Sequence, residues 1–217
     1  RTKKAKEYDV SIYLQSLSES DCHFPCISGG GPNGAFAAGI LNGWTDHGTR
    51  PRFRVVTGIS TGALIAPFAF LGSEYDRKLK EVYTTVTTKD VLDLGHFLGV
   101  GAFLFGEAVA RTEPLRDLIE LNVDSELLAE ISVEHRKGRR LYIGTTNLDQ
   151  QRLVIWDMGR IAGLGDKRAL KLFQEVMLAS ASIPVAFPPV YFEVQTDDKT
   201  YDEMHVDGGV MAGVFGY

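Results

Sequence analysis

Cysteine is nearly absent from this sequence, which has two among 217 residues. Two cysteines cannot form the set of disulfides that holds small secreted domains together. Cys22, His23 and Cys26 supply three of the four ligands that a structural zinc site needs, so we predict no metal site. The sequence leaves two states open: a single Cys22–Cys26 disulfide, or a Cys26 that packs inward as a small apolar side chain.

Long hydrophobic runs and an excess of positive charge are also missing. The longest apolar stretch, residues 97–105, is far shorter than the roughly 20 residues of a membrane-spanning helix. Lys and Arg number 23 against 28 Asp and Glu, a net charge of −5, so no broad cationic surface attracts a phosphate backbone. We therefore predict neither a transmembrane segment nor a nucleic-acid partner.

The composition that remains is that of an ordinary globular domain. Hydrophobic residues make up 44% and charged residues 24%, and the length suits one medium-sized domain with a substantial core. We predict an N-terminal extension over residues 1–23 and a single domain over 24–217.

Strand and helix patterns alternate along the chain. Short apolar runs at 24–28 and 53–58 predict buried strands, and each leads through a glycine-containing turn into a predicted helix, at 35–47 and 63–72. Later segments continue the mixture, with predicted helices at 74–87, 114–121, 124–136 and 167–179 and predicted strands at 141–145, 153–156, 190–194 and 204–206. This alternation predicts an α/β fold in which helices flank a mostly parallel central sheet.

A cluster of glycines follows the first predicted strand, in the segment CISGGGPNGAFAAG (26–39). The spacing Gly29-x-Gly31-x-x-Gly34 fits the dinucleotide fingerprint, and it also fits a loop whose N–H groups hold a reacting oxygen. A nucleotide-binding module needs an acidic residue about 20 positions further on for the ribose. The corresponding segment, TRPRFRVV (49–56), has none, which argues against nucleotide binding.

The second predicted strand leads into Gly58-Ile59-Ser60-Thr61-Gly62, which matches the G-x-S-x-G nucleophile elbow. In such a tight turn the serine projects outward, and the flanking glycines remove side chains that would collide. The motif is short and also fits a simpler role, in which Ser60 only N-caps the helix that starts at Thr61. A nucleophilic Ser60 would also require a base.

Two kinds of base are available. The common partner is a histidine held by a carboxylate, and the chain has five: His23, His47, His96, His135 and His205. Only His205 lies late in the chain, and its alternation with Val206 predicts that it faces one side of a strand. The same strand delivers Asp207 into Gly208-Gly209, where the acid is either a second candidate base or part of an ordinary Asp-Gly turn.

Three motifs in this order resemble the patatin-like phospholipase family: the loop at 29–34, the elbow at 58–62, and Asp207-Gly208-Gly209. The resemblance extends to GAFAAGILNGW after the loop and to ASASIPVAFPPV (179–190) before the last strand. It covers most of residues 24–217 and implies the patatin-like three-layer fold.

The resemblance also implies a serine hydrolase that cleaves carboxylic esters of lipids through a Ser-Asp dyad and an acyl-enzyme. Ser60 would be the nucleophile and Asp207 the base, and the oxyanion hole would consist of backbone N–H groups of Gly29, Gly30, Gly31, Asn33 and Gly34. No metal or cofactor is implied. The implied partners are a lipid substrate and a transient membrane or micelle surface, in a bacterial cell envelope or as a secreted protein, with the cytoplasm as the alternative.

The chain departs from the family pattern at the loop and at its end. Asn33 stands where many relatives carry Arg or Lys, so the loop has no fixed charge for an anionic head group, and Pro32 has no N–H to donate. The chain stops ten residues after Asp207, where relatives continue, so we expect the domain to be truncated at its C-terminus.

Two other functions fit parts of the sequence. One is a Ser-His-Asp esterase that uses one of the five histidines, and the other is a catalytically silent lipid-binding protein of the same fold. For a lipid acyl chain, the apolar segments 97–105 and 186–189 are the candidate groove.

Overall fold

The computed structural model describes residues 23–85, 112–196 and 199–216. In chain order they form β1 (Cys26–Ile27), α1 (Gly34–Asp46), β2 (Val55–Ile59), α2 (Thr61–Leu71), α3 (Asp76–Thr85), α4 (Glu113–Asn122), α5 (Ser125–Arg136), β3 (Arg140–Asn147), β4 (Arg152–Asp157), α6 (Met158–Ala162), α7 (Lys167–Ser180), β5 (Val190–Gln195) and β6 (Thr200–Asp207). Residues 1–22 of the predicted extension and the candidate groove segment 97–105 lie outside the described residues.

One mixed sheet forms the centre of the fold, in the order β1-β2-β3-β6-β5, with β4 on the other edge of β3. The strands β1, β2 and β3 are parallel, β6 is antiparallel to β3, and β5 is antiparallel to β6. Because two reversals restore the direction, β5 runs the same way as β1, β2 and β3. The predicted α/β class, with helices flanking a sheet of mostly parallel strands, is confirmed.

The helix α2 lies at the middle of the structure. Its sequence, TGALIAPFAFL, is apolar on all sides, and ten of its eleven residues are buried. A helix that is apolar all round needs neighbours all round. It packs on β2 and β3 and is also contacted by α1, α5 and α7. Ser60 directly precedes this helix, so the packing of α2 in the core fixes the position of Ser60.

Two buried arginines satisfy the opposite end of α2. Arg139 donates to the carbonyl oxygens of Phe53, at 2.7 Å, and of Phe70, and it pairs with Glu134 at 2.8 Å. Arg50 pairs with Asp76 at 2.5 Å and donates to the carbonyl of Ala69 at 3.3 Å. The last carbonyls of a helix lack partners within the helix, so these guanidinium groups complete the hydrogen bonding of α2.

The predicted elements are present, with differences at their ends. The strands β3 and β6 are longer than predicted, because the polar ends of both pair within the sheet. The five-residue α6 was not predicted; it follows β4 without a break and begins with an N-cap bond from Arg160 N–H to Asp157. The inward-facing alternative for Cys26 is wrong, since Cys26 is exposed on β1 and Ile27 is buried. No helix in the described ranges has the length and hydropathy to cross a bilayer.

Candidate active site

Ser60 occupies a strained turn between β2 and α2. Its backbone has φ 56° and ψ −126°, in a region that residues with a side chain rarely adopt. A Cβ on Gly58 would lie 2.5 Å from the carbonyl oxygen of Gly62, and a Cβ on Gly62 would overlap the carbonyl oxygen of Ile27. Both glycines are therefore required by close backbone contacts. The Ser60 side chain makes no cap bond to α2, which argues against the simple N-cap role.

The sheet register explains why Asp207, 147 positions away in the sequence, lies next to Ser60. Gly144 of β3 pairs with Ile59, the last residue of β2, and the following residue, Thr145, pairs with Asp207 of β6. Since β4 occupies the other edge of β3, β2 and β6 meet end to end along one edge. The elbow and the carboxylate are thus neighbours at the point where the two strands meet.

Asp207 is buried, with 5% of its surface exposed, and its carboxylate has two partners. Burial raises its pKa above the ordinary aspartate value, and hydrogen bonds with the Ser60 side chain and the Gly209 N–H act in the opposite direction without cancelling that effect. The Gly209 N–H donates to Oδ1 at 2.6 Å, which gives the Asp-Gly turn that the sequence left open. The carboxylate of Asp207 therefore stabilises the Asp-Gly turn and also lies beside the Ser60 side chain.

The C-terminal end of α7 holds the backbone of both residues. The Ser60 N–H donates to Oγ of Ser180 at 3.0 Å, and that hydroxyl donates to the carbonyl of Gly144 at 2.7 Å. The Asp207 N–H donates to the carbonyl of Ser182 at 2.9 Å. Sequence reasoning noted the segment ASAS only as part of a resemblance and assigned neither serine a role; no spacing rule identifies such bridges.

The glycine loop lies against the elbow. Thr61 Oγ1 donates to the carbonyl of Gly31 at 2.8 Å, and a Cβ on Gly29 would lie 2.8 Å from Cβ of Ser60. Gly30 and Gly31 have φ of 143° and 54°, values that favour glycine. The hydrogen bond from Thr61 thus holds the loop close to Ser60, and the lack of a side chain at Gly29 permits the close approach.

The N–H groups of this loop fall into two sets. Three have acceptors within the protein: Gly29 donates to the Gly213 carbonyl at 3.4 Å, Asn33 to the Gly30 carbonyl at 3.1 Å, and Gly34 to preceding loop carbonyls. The N–H groups of Gly30 and Gly31 have no acceptor among the described residues. The same holds for Thr61, the first residue of α2, whose N–H is not among the donors predicted from the sequence.

A cavity of about 420 Å³ opens at Ser60. Ser60, Gly31 and Pro32 lie at one part of its wall, and the rest is mostly apolar, with side chains from several helices that include Leu64, Phe68, Leu115, Ile119, Met177 and Phe187. Of the predicted groove segment 186–189, Phe187 lines this cavity. Its wall suits a hydrocarbon chain.

No described histidine lines the cavity or hydrogen-bonds Ser60. His205 is fully buried, its Nδ1 lies 2.8 Å from Thr145 Oγ1 and its Nε2 lies 3.3 Å from Glu203, and burial lowers its pKa. His96 lies outside the described residues. Within the described ranges there is also no cluster of three His, Cys, Asp or Glu side chains that could hold a metal ion.

Fold and site together define an α/β protein in which an elbow serine contacts a buried aspartate beside an apolar cavity. The chain belongs to the patatin-like phospholipase family, whose sequence model matches residues 26–215. Among solved structures it is similar to VipD from Legionella pneumophila, with a TM-score of 0.54 and 15% identity over 91% of this chain. The chain spans 47% of the VipD chain, and this likeness shows a shared fold. No curated protein sequence matches it.

Proposed function

We propose that this chain hydrolyses carboxylic esters of lipids, as a phospholipase A, lysophospholipase or lipid esterase, through a Ser60-Asp207 dyad. The observation that carries the proposal is the sheet register that brings these two buried side chains together at the edge of an apolar cavity. An aspartate with an ordinary pKa is a weak base for an alcohol. Burial raises the pKa of Asp207, which strengthens it as a base.

The proposed reaction has two halves. Asp207 accepts the proton of Ser60 as Oγ attacks the ester carbonyl, and the tetrahedral intermediate then expels the alcohol or lysolipid, which takes the proton from Asp207. Asp207 then deprotonates a water that attacks the acyl-enzyme, the bond between the acyl carbon and Ser60 Oγ breaks, and Oγ takes the proton from Asp207 as the fatty acid is released. Each half uses one base that returns to its starting state, so no metal or cofactor enters either step.

The oxyanion of the intermediate needs donors that are free when it forms. The N–H groups of Gly30 and Gly31 meet that requirement, and Thr61 adds a third at the positive end of α2. The N–H groups of Gly29, Asn33 and Gly34, also predicted as donors, would first have to leave the acceptors they have here. We therefore assign the oxyanion hole to Gly30, Gly31 and Thr61.

The proposed substrate enters from an aggregated lipid surface. Phe36, Ile40 and Trp44 recur at helical spacing on α1, and Phe36 is 74% exposed. Their helix begins at the glycine loop, and Ala35 lines the cavity. A lipid that contacts this apolar side of α1 lies close to the opening above Ser60.

The test of the nucleophile is labelling by a serine-directed fluorophosphonate, run beside hydrolysis of a lipid panel with product analysis. Wild type should be labelled and should release fatty acid, whereas Ser60→Ala should do neither. An unlabelled wild type contradicts the proposal and favours the catalytically silent lipid-binding alternative, whereas labelling that survives in Ser60→Ala shows that another residue reacts and rejects Ser60 as the nucleophile.

The Ser-His-Asp alternative is tested by replacing each of the five histidines with glutamine. The dyad predicts that every variant keeps its turnover, because the described histidines lie away from Ser60. Loss of turnover in one folded variant would identify a histidine base and reject the dyad. His96 is the variant of most interest, since it lies outside the described residues.

A further inference from the structure

The hydroxyl of Tyr83 is a buried polar group without a hydrogen-bond partner among the described residues. Tyr83 lies near the end of α3, and less than 1 Å² of its Oη is accessible. Residues 23–85, 112–196 and 199–216 provide no hydrogen-bond partner for this oxygen. Native proteins rarely leave such a group unpaired, because burial removes its hydration. At the wall of a cavity, the missing acceptor can be supplied by a water or by a ligand that enters the cavity.

Tyr83 lines the same cavity as Ser60. Its Oη lies beside the start of α1, because a Cβ placed on Gly34 would be 2.9 Å from it. The same Cβ would overlap the side chain of Thr61, the residue that follows Ser60. The hydroxyl is therefore close to the glycine loop and the elbow, at the reacting end of the cavity.

The other hydroxyl and amide side chains along the wall are already engaged. Each hydrogen-bonds within the protein; they are Ser60, Thr61, Thr84 and Asn122. Of the described polar side chains that line the cavity, Tyr83 is therefore the one that makes no hydrogen bond within the described residues. Among the described residues the wall is therefore mostly hydrocarbon, and its unengaged donors are the oxyanion-hole N–H groups and the hydroxyl of Tyr83.

The chemistry of the hydroxyl fits an ester. Burial raises the pKa of Tyr83 above its ordinary value, so the phenol stays protonated at neutral pH and can donate its proton in a hydrogen bond. A carboxylic ester offers oxygen acceptors and no donors. Beside the N–H groups assigned to the oxyanion hole, the cavity provides this one side-chain donor close to the nucleophile, and the rest of its wall is mostly apolar.

We propose that Tyr83 is a substrate-binding residue whose Oη donates a hydrogen bond to an oxygen of the bound ester. The proposal rests on the lipid ester hydrolysis proposed above and adds what fixes the ester in place. An apolar wall alone lets a hydrocarbon chain slide, whereas one directed donor defines which carbon lies opposite Ser60. Because the bond exists in both the bound substrate and the transition state, its loss should raise KM more than it lowers kcat.

The experiment compares the hydrolysis of p-nitrophenyl octanoate and the thermal unfolding of wild type, Tyr83→Phe and Tyr75→Phe. Tyr75 is the matched control because its hydroxyl hydrogen-bonds Glu130 and it does not line the cavity. We expect Tyr83→Phe to raise KM about tenfold, as for the loss of one neutral hydrogen bond, with kcat within about twofold. Its Tm should stay the same or rise, because an unpaired buried hydroxyl has been removed. Tyr75→Phe should keep KM and lower Tm.

Two results overturn the proposal: a KM for Tyr83→Phe within twofold of wild type, or a rise in KM accompanied by a lower Tm. A second arm separates it from the proposed function. Titration calorimetry measures the binding of the same ester to Ser60→Ala with and without Tyr83→Phe. If wild type has no Ser60-dependent turnover, the proposed hydrolysis fails, and Tyr83 is then judged by this arm: tenfold weaker binding supports it and equal binding overturns it.

Discussion

At the scale of single residues, the candidate site combines two side chains in unfavourable states. Ser60 has a positive φ without being glycine, and Asp207 is a carboxylate at 5% exposure whose neighbours Ser60 and Gly209 are uncharged. Strained backbone and a carboxylate with a raised pKa are features that concentrate at functional sites. Because the strained serine and the aspartate with the raised pKa are neighbours, the structure supports the proposed dyad more strongly than either sequence motif does alone.

Replacing Asp207 by Asn should abolish hydrolysis, because Asn keeps the shape and the Gly209 contact but cannot accept the Ser60 proton. We expect kcat/KM to fall by about 10⁴, as for loss of a triad member. In wild type, kcat/KM should rise with pH through the raised pKa of Asp207, above the ordinary aspartate value of about 3.9. Asp202→Asn, an exposed position on the same strand, is the control and should keep both values. Full activity in Asp207→Asn would reject Asp207 as the base.

The residues of the proposed dyad were predicted from the sequence through resemblance to a family. Spacing alone left Ser60 as a possible N-cap and Asp207 as a possible turn residue, since the end-to-end meeting of β2 and β6 depends on a pairing register that no local pattern encodes. Tyr83 gave no signal, because an aromatic residue on an amphipathic helix reads as core. Its missing partner is visible only in three dimensions.

At the scale of elements, α7 connects the sheet to the site. The sequence predicted this helix within a residue of its observed end, yet its function depends on the last turn, where Ser180 bridges β3 and the elbow. Helical periodicity predicts which face is buried and says nothing about which carbonyl or N–H a terminal hydroxyl will reach. The same limit explains why α6 was missed, as it is too short to show a period.

Ser180→Ala should weaken both stability and turnover. The substitution leaves the Ser60 N–H and the Gly144 carbonyl without this bridge, and each lost buried partner costs about 1–3 kcal/mol. We expect a lower Tm, by roughly 2–4 °C for each kcal/mol, and a lower kcat from a less fixed elbow. Ser182→Ala is the matched control, since its hydroxyl donates to the Leu178 carbonyl of α7 and, among the described residues, makes no bridge to the sheet or the elbow. Equal effects from both variants would show that the bridge has no special role.

At the scale of the whole molecule, the two ends of α2 have opposite energetic characters. Its N-terminal end carries the strained Ser60 and the buried Asp207, which lower stability. Its C-terminal end is held by two buried ion pairs whose arginines also bind helix carbonyls. A fully buried helix between them keeps both ends in register with the sheet. The fold can thus hold a destabilised site because the opposite end is well satisfied.

This division predicts opposite pH dependences for two buried carboxylates. For Asp207 the folded pKa is raised by burial, so its contribution to stability is present at acid pH and is lost as pH rises through the folded pKa. Asp207→Asn, which resembles the protonated acid, should therefore raise Tm at pH 7, and the gain should vanish below the unfolded pKa of about 3.9. A variant that loses hydrolysis and gains stability would mark Asp207 as a functional residue.

Glu134 should behave in the reverse sense. Burial alone would raise its pKa, but hydrogen bonds from Lys137 and Arg139 and the charge of Arg52 lower the pKa overall. Its contribution is present above the unfolded pKa of about 4.3 and is lost as pH falls through the folded value. Glu134→Gln should lower Tm at pH 7, because Arg139 keeps a buried charge without its partner, and the difference from wild type should shrink in acid. Calorimetric Tm from pH 3 to pH 8 for wild type and both variants tests the pair. If Asp207→Asn and Glu134→Gln shifted Tm in the same direction at pH 7, the N-terminal end of α2 would not be the destabilising end and the C-terminal end the stabilising one.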